Sequence, residues 1–139
     1  MVQEYAFERS TRGMSRRFRD TLSLLLVSHV AKRFAAGNRP LSQRSLSRAT
    51  HLPETLVTVL LDELVSVGVL AITHNNSGTE MLYIPAIDIH RLTVRMVVDR
   101  LDARGTENFS PAWMLHNPEW KRLRQYRYYS QDEALIMEI

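Results

Sequence analysis

Cysteine is absent from the 139 residues, and that removes several kinds of chemistry at once. No disulfide scaffold, thiolate nucleophile or cysteine-ligated zinc or iron–sulfur centre can be built from these side chains. Long apolar runs are missing too. The longest, LVTVLL over residues 56–61, is interrupted by Thr58 and falls far short of the roughly 18 apolar residues a membrane helix needs. The opening MVQEYAFERS lacks the apolar segment of a secretory signal. Glycine and proline are scarce at five each, and neither an internal repeat nor a low-complexity tract occurs.

Catalytic signatures are equally hard to find. There is no GxSxG, no P-loop, no GxGxxG and no HExxH. The histidines at 29, 51, 74, 90 and 116 include no pair at metal-ligand helical spacing, so no metal site or cofactor is expected. Asp62–Glu63 and Asp132–Glu133 are adjacent carboxylates, but neighbours on a helix point about 100° apart and rarely share a proton. A non-catalytic domain is the expectation.

What is present suits one compact domain with a short appendage: 45% hydrophobic residues, 24% charged residues and a net charge of +3. Residues 15–36 show helical periodicity, with Phe18, Leu22, Leu25 and His29 on one stripe, and GNRP closes the segment. Residues 42–49 read as a second helix with Ser42 as its N-cap. THLP makes a turn, and Pro53 suits the first position of a third helix.

In that third helix Leu56, Val57, Leu60, Leu61, Leu64, Val65 and Val67 share one face. Thr55, Thr58, Val59, Asp62, Glu63 and Ser66 share the other. Two apolar runs, 69–73 and 81–84, flank the turn-rich HNNSGTE and predict a β-hairpin. A fourth helix is expected over 88–103 with Asp88 as N-cap, and NPEW opens a further short helix. The expected fold is therefore mainly α with a small β-hairpin, a winged helix-turn-helix-like domain with a C-terminal helical tail. Residues 1–14 form a basic lead-in, 15–105 the domain, and 106–139 the linker and tail.

Charge is unevenly spread. Between residues 49 and 90 there is no lysine or arginine, against Glu54, Asp62, Glu63, Glu80 and Asp88. Affinity for DNA comes largely from cations at phosphates, and base reading favours Arg, Lys, Asn and Gln near the start of the inserted helix. The third helix instead offers Thr55, Thr58, Val59 and Asp62, a face better suited to a protein partner or a homodimer than to phosphate. Nucleic acid is a possible partner, not the favoured one.

The cations gather at the two ends. Arg9, Arg12, Arg16, Arg17 and Arg19 form one cluster, suited to an anionic membrane surface or to nucleic acid. Trp120, Lys121, Arg122, Arg124 and Arg127, with Tyr126, Tyr128 and Tyr129, form a second, of the basic–aromatic kind that stacks on single strands.

Three segments, YAFERSTRGMSRRFRDTLSLLLVSHVAKRF, PLSQRSLSRATHLPETLVTVLLDELVSVGVL and YIPAIDIHRLTVRMVVDRLDARG, together resemble the C-terminal cytoplasmic extension of YihY/BrkB-type membrane proteins. Many members of that family carry the name ribonuclease BN. The likeness covers residues 4–109 and is carried most by YAFE and by PAIDIHRLTV with LDARG. It implies a multi-helix membrane domain on the N-terminal side, with the arginines at 9–19 just inside a bacterial inner membrane. No catalytic residue of the family falls on a position here. The leading expectation is thus a membrane-associated interaction or regulatory domain. The alternatives are a free-standing winged-helix transcription regulator that binds through its basic termini, and an RNA-binding part of a tRNA-processing protein.

Overall fold

A computed structural model of the chain describes residues 13–104, 116–119, 121–123 and 134–139. Ser15 opens α1 (Arg16–Ala35): its backbone is extended and its hydroxyl accepts the Phe18 N–H at 3.2 Å, pairing one of the amides a helix start leaves free. Gly37, at φ +70°, turns the chain out of the helix, and its N–H donates to the Phe34 carbonyl.

The buried face of α1 is Ser23, Leu26, Val27, Val30 and Ala31. The expected stripe points elsewhere: Phe18 is 53% and Leu25 38% exposed, with Leu22 and His29 half-buried. Both sets satisfy helical spacing. A helix that is apolar on two sides leaves the choice to docking, not to periodicity.

A two-residue strand, β1 (Leu41–Ser42), leads into α2 (Gln43–Thr50), where the Ser42 hydroxyl accepts the Ser45 N–H at 3.2 Å. His51 ends α2 at φ +58°, a left-handed conformation unusual for a side-chain-bearing residue. Pro53 then stands as the N-cap of α3 (Glu54–Ser66), one position earlier than its composition suggests. Leu60, Leu61, Leu64 and Val57 of α3 are fully buried at the centre of the core, each stabilising the fold by roughly 1.5–3 kcal/mol relative to exposure.

The predicted hairpin forms from β2 (Leu70–His74) and β3 (Met81–Pro85), with Ile72 opposite Tyr83. β1 adds to the other edge of β3 through Leu41 and Tyr83, giving a three-stranded antiparallel sheet of order β1-β3-β2. At the hairpin tip the Asn75 Oδ1 accepts the N–H groups of Thr79 and Glu80, while Gly78 takes φ +72°.

The fourth helix begins later than expected. α4 (Val94–Asp102) is capped by Thr93, whose hydroxyl accepts the Met96 N–H at 3.1 Å. Asp88 caps a separate turn, accepting from the backbone N–H of His90 and contacting its ring; these bonds hold its carboxyl below the ordinary range. The chain end neither extends a helix nor frays. Leu135 bridges Thr93, the Ile136 N–H donates to the Leu92 carbonyl, and Ile136 is buried in the core.

Candidate nucleic-acid interface

α2, the turn at His51 and α3 form a helix-turn-helix, with the β2–β3 hairpin as the wing. The outward face of α3 carries Thr55, Thr58, Val59, Asp62 and Ser66; Val59 is 39% exposed. Thr58 donates its hydroxyl to the Glu54 carbonyl at 2.8 Å. Thr55 is half-buried with its hydroxyl turned inward, where it is buried and has no hydrogen-bond partner among the described residues.

Glu63 does not belong to that face. It is 8% exposed and ion-paired to Arg19 of α1 and to Arg104 just beyond α4. A carboxylate this buried requires cations to be tolerated at all. Burial, and then the like charge of Arg104, lower the pKa of the Arg19 guanidinium.

The C-terminal end of α3 is held by Arg100 of α4, whose Nη1 donates to the Val67 carbonyl at 3.0 Å and reaches the Gly68 carbonyl at 3.5 Å. A cation at a helix C-terminus is also favoured by the helix dipole. Gly68 makes this possible: it sits at φ +77°, and a Cβ there would lie 2.9 Å from Arg100 Nη1.

At the N-terminal end, Arg44 of α2 lies 3.4 Å from the Glu54 carboxylate, and the Gln43 amide donates to the Glu54 carbonyl. Arg48, one turn along the same side of α2, is exposed without an ion pair among the described residues. Arg39 approaches Glu80 beside the wing at 3.9 Å. So α3, which has no cation of its own, is met by Arg19, Arg44, Arg100 and Arg104 from other elements. Only Asp62 of its three carboxylates lacks an ion pair among the described residues. Asp62 also raises the pKa of the buried Tyr83 phenol, second to burial itself.

The two basic clusters are described only in part. Arg9 and Arg12 lie outside the described residues. Arg16 is exposed but pairs with Asp102 at 2.9 Å and donates to the Leu101 carbonyl, Arg19 is taken by Glu63, and Arg17 is exposed. In the second cluster Trp120, Arg124 and Arg127 lie outside the described residues, as do Tyr126, Tyr128 and Tyr129. Lys121 and Arg122 are exposed, and Arg122 approaches Glu119 at 3.9 Å. No group of three or more metal-ligating side chains occurs among the described residues.

Arg39, Arg44 and Arg48 are the residues that linear charge counting passes over. They lie just before residue 49, where the cation-free window begins, and the helix-turn-helix brings them back beside it.

No family model matches the chain, and no curated protein matches it. Solved structures do. IscR from T. potens aligns over 91% of this chain and 85% of its own, at 16% identity and a TM-score of 0.61. CymR from B. subtilis, described as the global cysteine regulator, aligns over 88% and 92%, at 17% identity and 0.58. A Listeria innocua protein designated a transcriptional regulator aligns over 85% and 80%, at 18% identity and 0.57.

This likeness establishes the winged helix-turn-helix fold and corrects the YihY/BrkB resemblance, with its ribonuclease BN name and membrane association. The described parts of the quoted segments fall on α1, on α2–α3 and on β3–α4, while YAFE lies outside the described residues. The inner-membrane placement falls with it: the similar structures include the Listeria innocua transcriptional regulator and the B. subtilis global cysteine regulator, and two of the arginines meant for a lipid surface, Arg16 and Arg19, are ion-paired within the chain. No described helix is long and apolar enough to cross a membrane.

Proposed function

We propose that this chain is a winged-helix transcription regulator that binds duplex DNA through α2 and α3. The N-terminal turn of α3 enters the major groove with Thr58 toward base edges, where its hydroxyl oxygen can accept and its methyl can meet a thymine methyl, and with the half-buried Thr55 beside it, its hydroxyl turned in. Arg44 and Arg48 contact phosphates on one side of the groove, and Arg39 does so near the wing.

The observation that carries this reading is Arg44 against Glu54. The carboxylate closest to the entering end of the helix already has a cation beside it, supplied by the preceding helix. Val59 and Asp62, one turn further along, face the groove edge rather than its floor. The similarity to IscR, to CymR and to the Listeria regulator supports the same conclusion. A second copy of this chain is the protein partner that fits, because helix-turn-helix units reach paired half-sites as two-fold dimers.

The test is selection of bound duplexes from a random-sequence library. One enriched motif is expected, with positions that become degenerate in Thr55→Ala or Thr58→Ala. Recovery of no motif, or a motif indifferent to both changes, overturns the reading.

A further inference from the structure

α1 and α4 leave a groove between them of about 440 Å³, a size that suits a small molecule. Leu24 of α1 and Val94 and Val98 of α4 give it an apolar floor. Its charged groups do not all satisfy one another. Arg16 and Asp102 pair at 2.9 Å, and Arg16 also donates to the Leu101 carbonyl. Asp20 is left with no hydrogen bond or ion pair among the described residues, and the arginine preceding it, Arg19, is engaged by Glu63. Partial burial, and then the like charge of Asp102, raise the Asp20 carboxyl above the ordinary range, against the opposing pull of Arg16 and Arg19, whose guanidinium groups are engaged by Asp102 and Glu63. Three residues before Asp20 on the same helix, Arg17 is exposed and has no ion pair among the described residues. Thr21 donates its hydroxyl proton to the Arg17 carbonyl, so the lone pairs of its oxygen are free to accept.

We propose that this groove binds a small zwitterion of the aliphatic α-amino-acid class. The ammonium pairs with Asp20 and donates to the Thr21 oxygen, the carboxylate pairs with Arg17, and the side chain lies on Leu24, Val94 and Val98. The set is complementary because Arg16 and Asp102 close on each other and leave one acid and one base, with apolar surface between the helices. Arg19 on α1 and Arg104, two residues past the end of α4, hold Glu63 of α3, so an occupant between the two helices bears on both supports of the reading helix. In a chain without cysteine, neither a thiol nor a cysteine-ligated cluster can serve as the input.

The site goes beyond the DNA-binding reading and is tested without DNA, by isothermal titration of the full chain with three related probes. L-leucine carries ammonium, carboxylate and apolar chain; 3-methylbutylamine lacks the carboxylate; 4-methylpentanoate lacks the ammonium. L-leucine is expected to bind tightest, the amine more weakly and the acid not measurably. Asp20→Asn should weaken L-leucine about tenfold or more, as loss of a charge-assisted contact does. Arg17→Gln should lower L-leucine to the level of the amine, and Val98→Phe should block all three probes. No heat from L-leucine, binding of the acid as tight as that of the amine, or an Asp20→Asn variant that binds normally overturns the proposal.

Discussion

Glu54 and Glu63 lie on the same helix, and an arginine from another element meets each, yet the two ends of α3 differ in kind. Around Glu63 the carboxylate is removed from water, and Arg19 and Arg104 make its burial tolerable. Around Glu54 both partners are more than half exposed, so the pair with Arg44 contributes no more than about 1 kcal/mol and opens easily. The inner cluster fixes where the helix sits. The outer one sets the charge at the exposed N-terminal end of α3.

The strongest way to break the comparison is at the inner site. Glu63→Gln keeps the size of the side chain but strands two guanidinium groups. Because both reach solvent, the expected loss is about 2–3 kcal/mol, at or below the low end for a fully buried pair, read as a lower urea midpoint. The corresponding Glu54→Gln should leave the midpoint almost unchanged. Equal losses from the two would erase the distinction.

On the outward face, Thr58→Ala should reduce discrimination between preferred and random duplex by about 1–3 kcal/mol while leaving random-duplex affinity unchanged, measured by competition binding. Truncation of Arg100 to alanine removes the cation at the C-terminal end of α3. It should cost up to about 1 kcal/mol, visible in a thermal melt.

The smallest effect concerns pH. The folded state holds the Asp20 proton more tightly than the unfolded chain does, so this group favours folding below the unfolded carboxylate range. That contribution is lost as the pH rises through the raised value. Asp20→Asn should therefore stabilise the protein near pH 7 by no more than a few tenths of a kcal/mol after solvent screening, and the gain should vanish below about pH 4.

Much of the architecture was legible in the sequence because local signals agree with tertiary need. Ser15 and Ser42 cap the helices they precede, the α3 leucines keep their period, and Asn75 with Gly78 marks the wing. Three features were not legible. The inward stripe of α1 depends on docking, since two apolar faces compete. β1 is two residues long and exists only because β3 lies beside it. Its partner element α2 ends on His51, a left-handed residue that carries no glycine signature.

The charge around α3 was only partly legible for a related reason. A window along the chain counts what a helix carries, whereas a phosphate meets what surrounds it in space, and the arginines around α3 come from α1, α2, α4 and the residue beyond α4. The isolated segment of α3 is acidic; in the fold, arginines of other elements stand beside two of its three carboxylates, Glu54 and Glu63.

The most direct measurement is the salt dependence of duplex binding for the unaltered chain and for Arg44→Gln/Arg48→Gln, followed by fluorescence anisotropy on a selected duplex. Each phosphate contact contributes about 0.9 to the slope of log affinity against log salt concentration. The double variant should bind more weakly, with a slope shallower by nearly two and an unchanged melting temperature. An unchanged slope and affinity would mean that the arginines of α2 do not meet phosphate, and that α3 is not the reading helix.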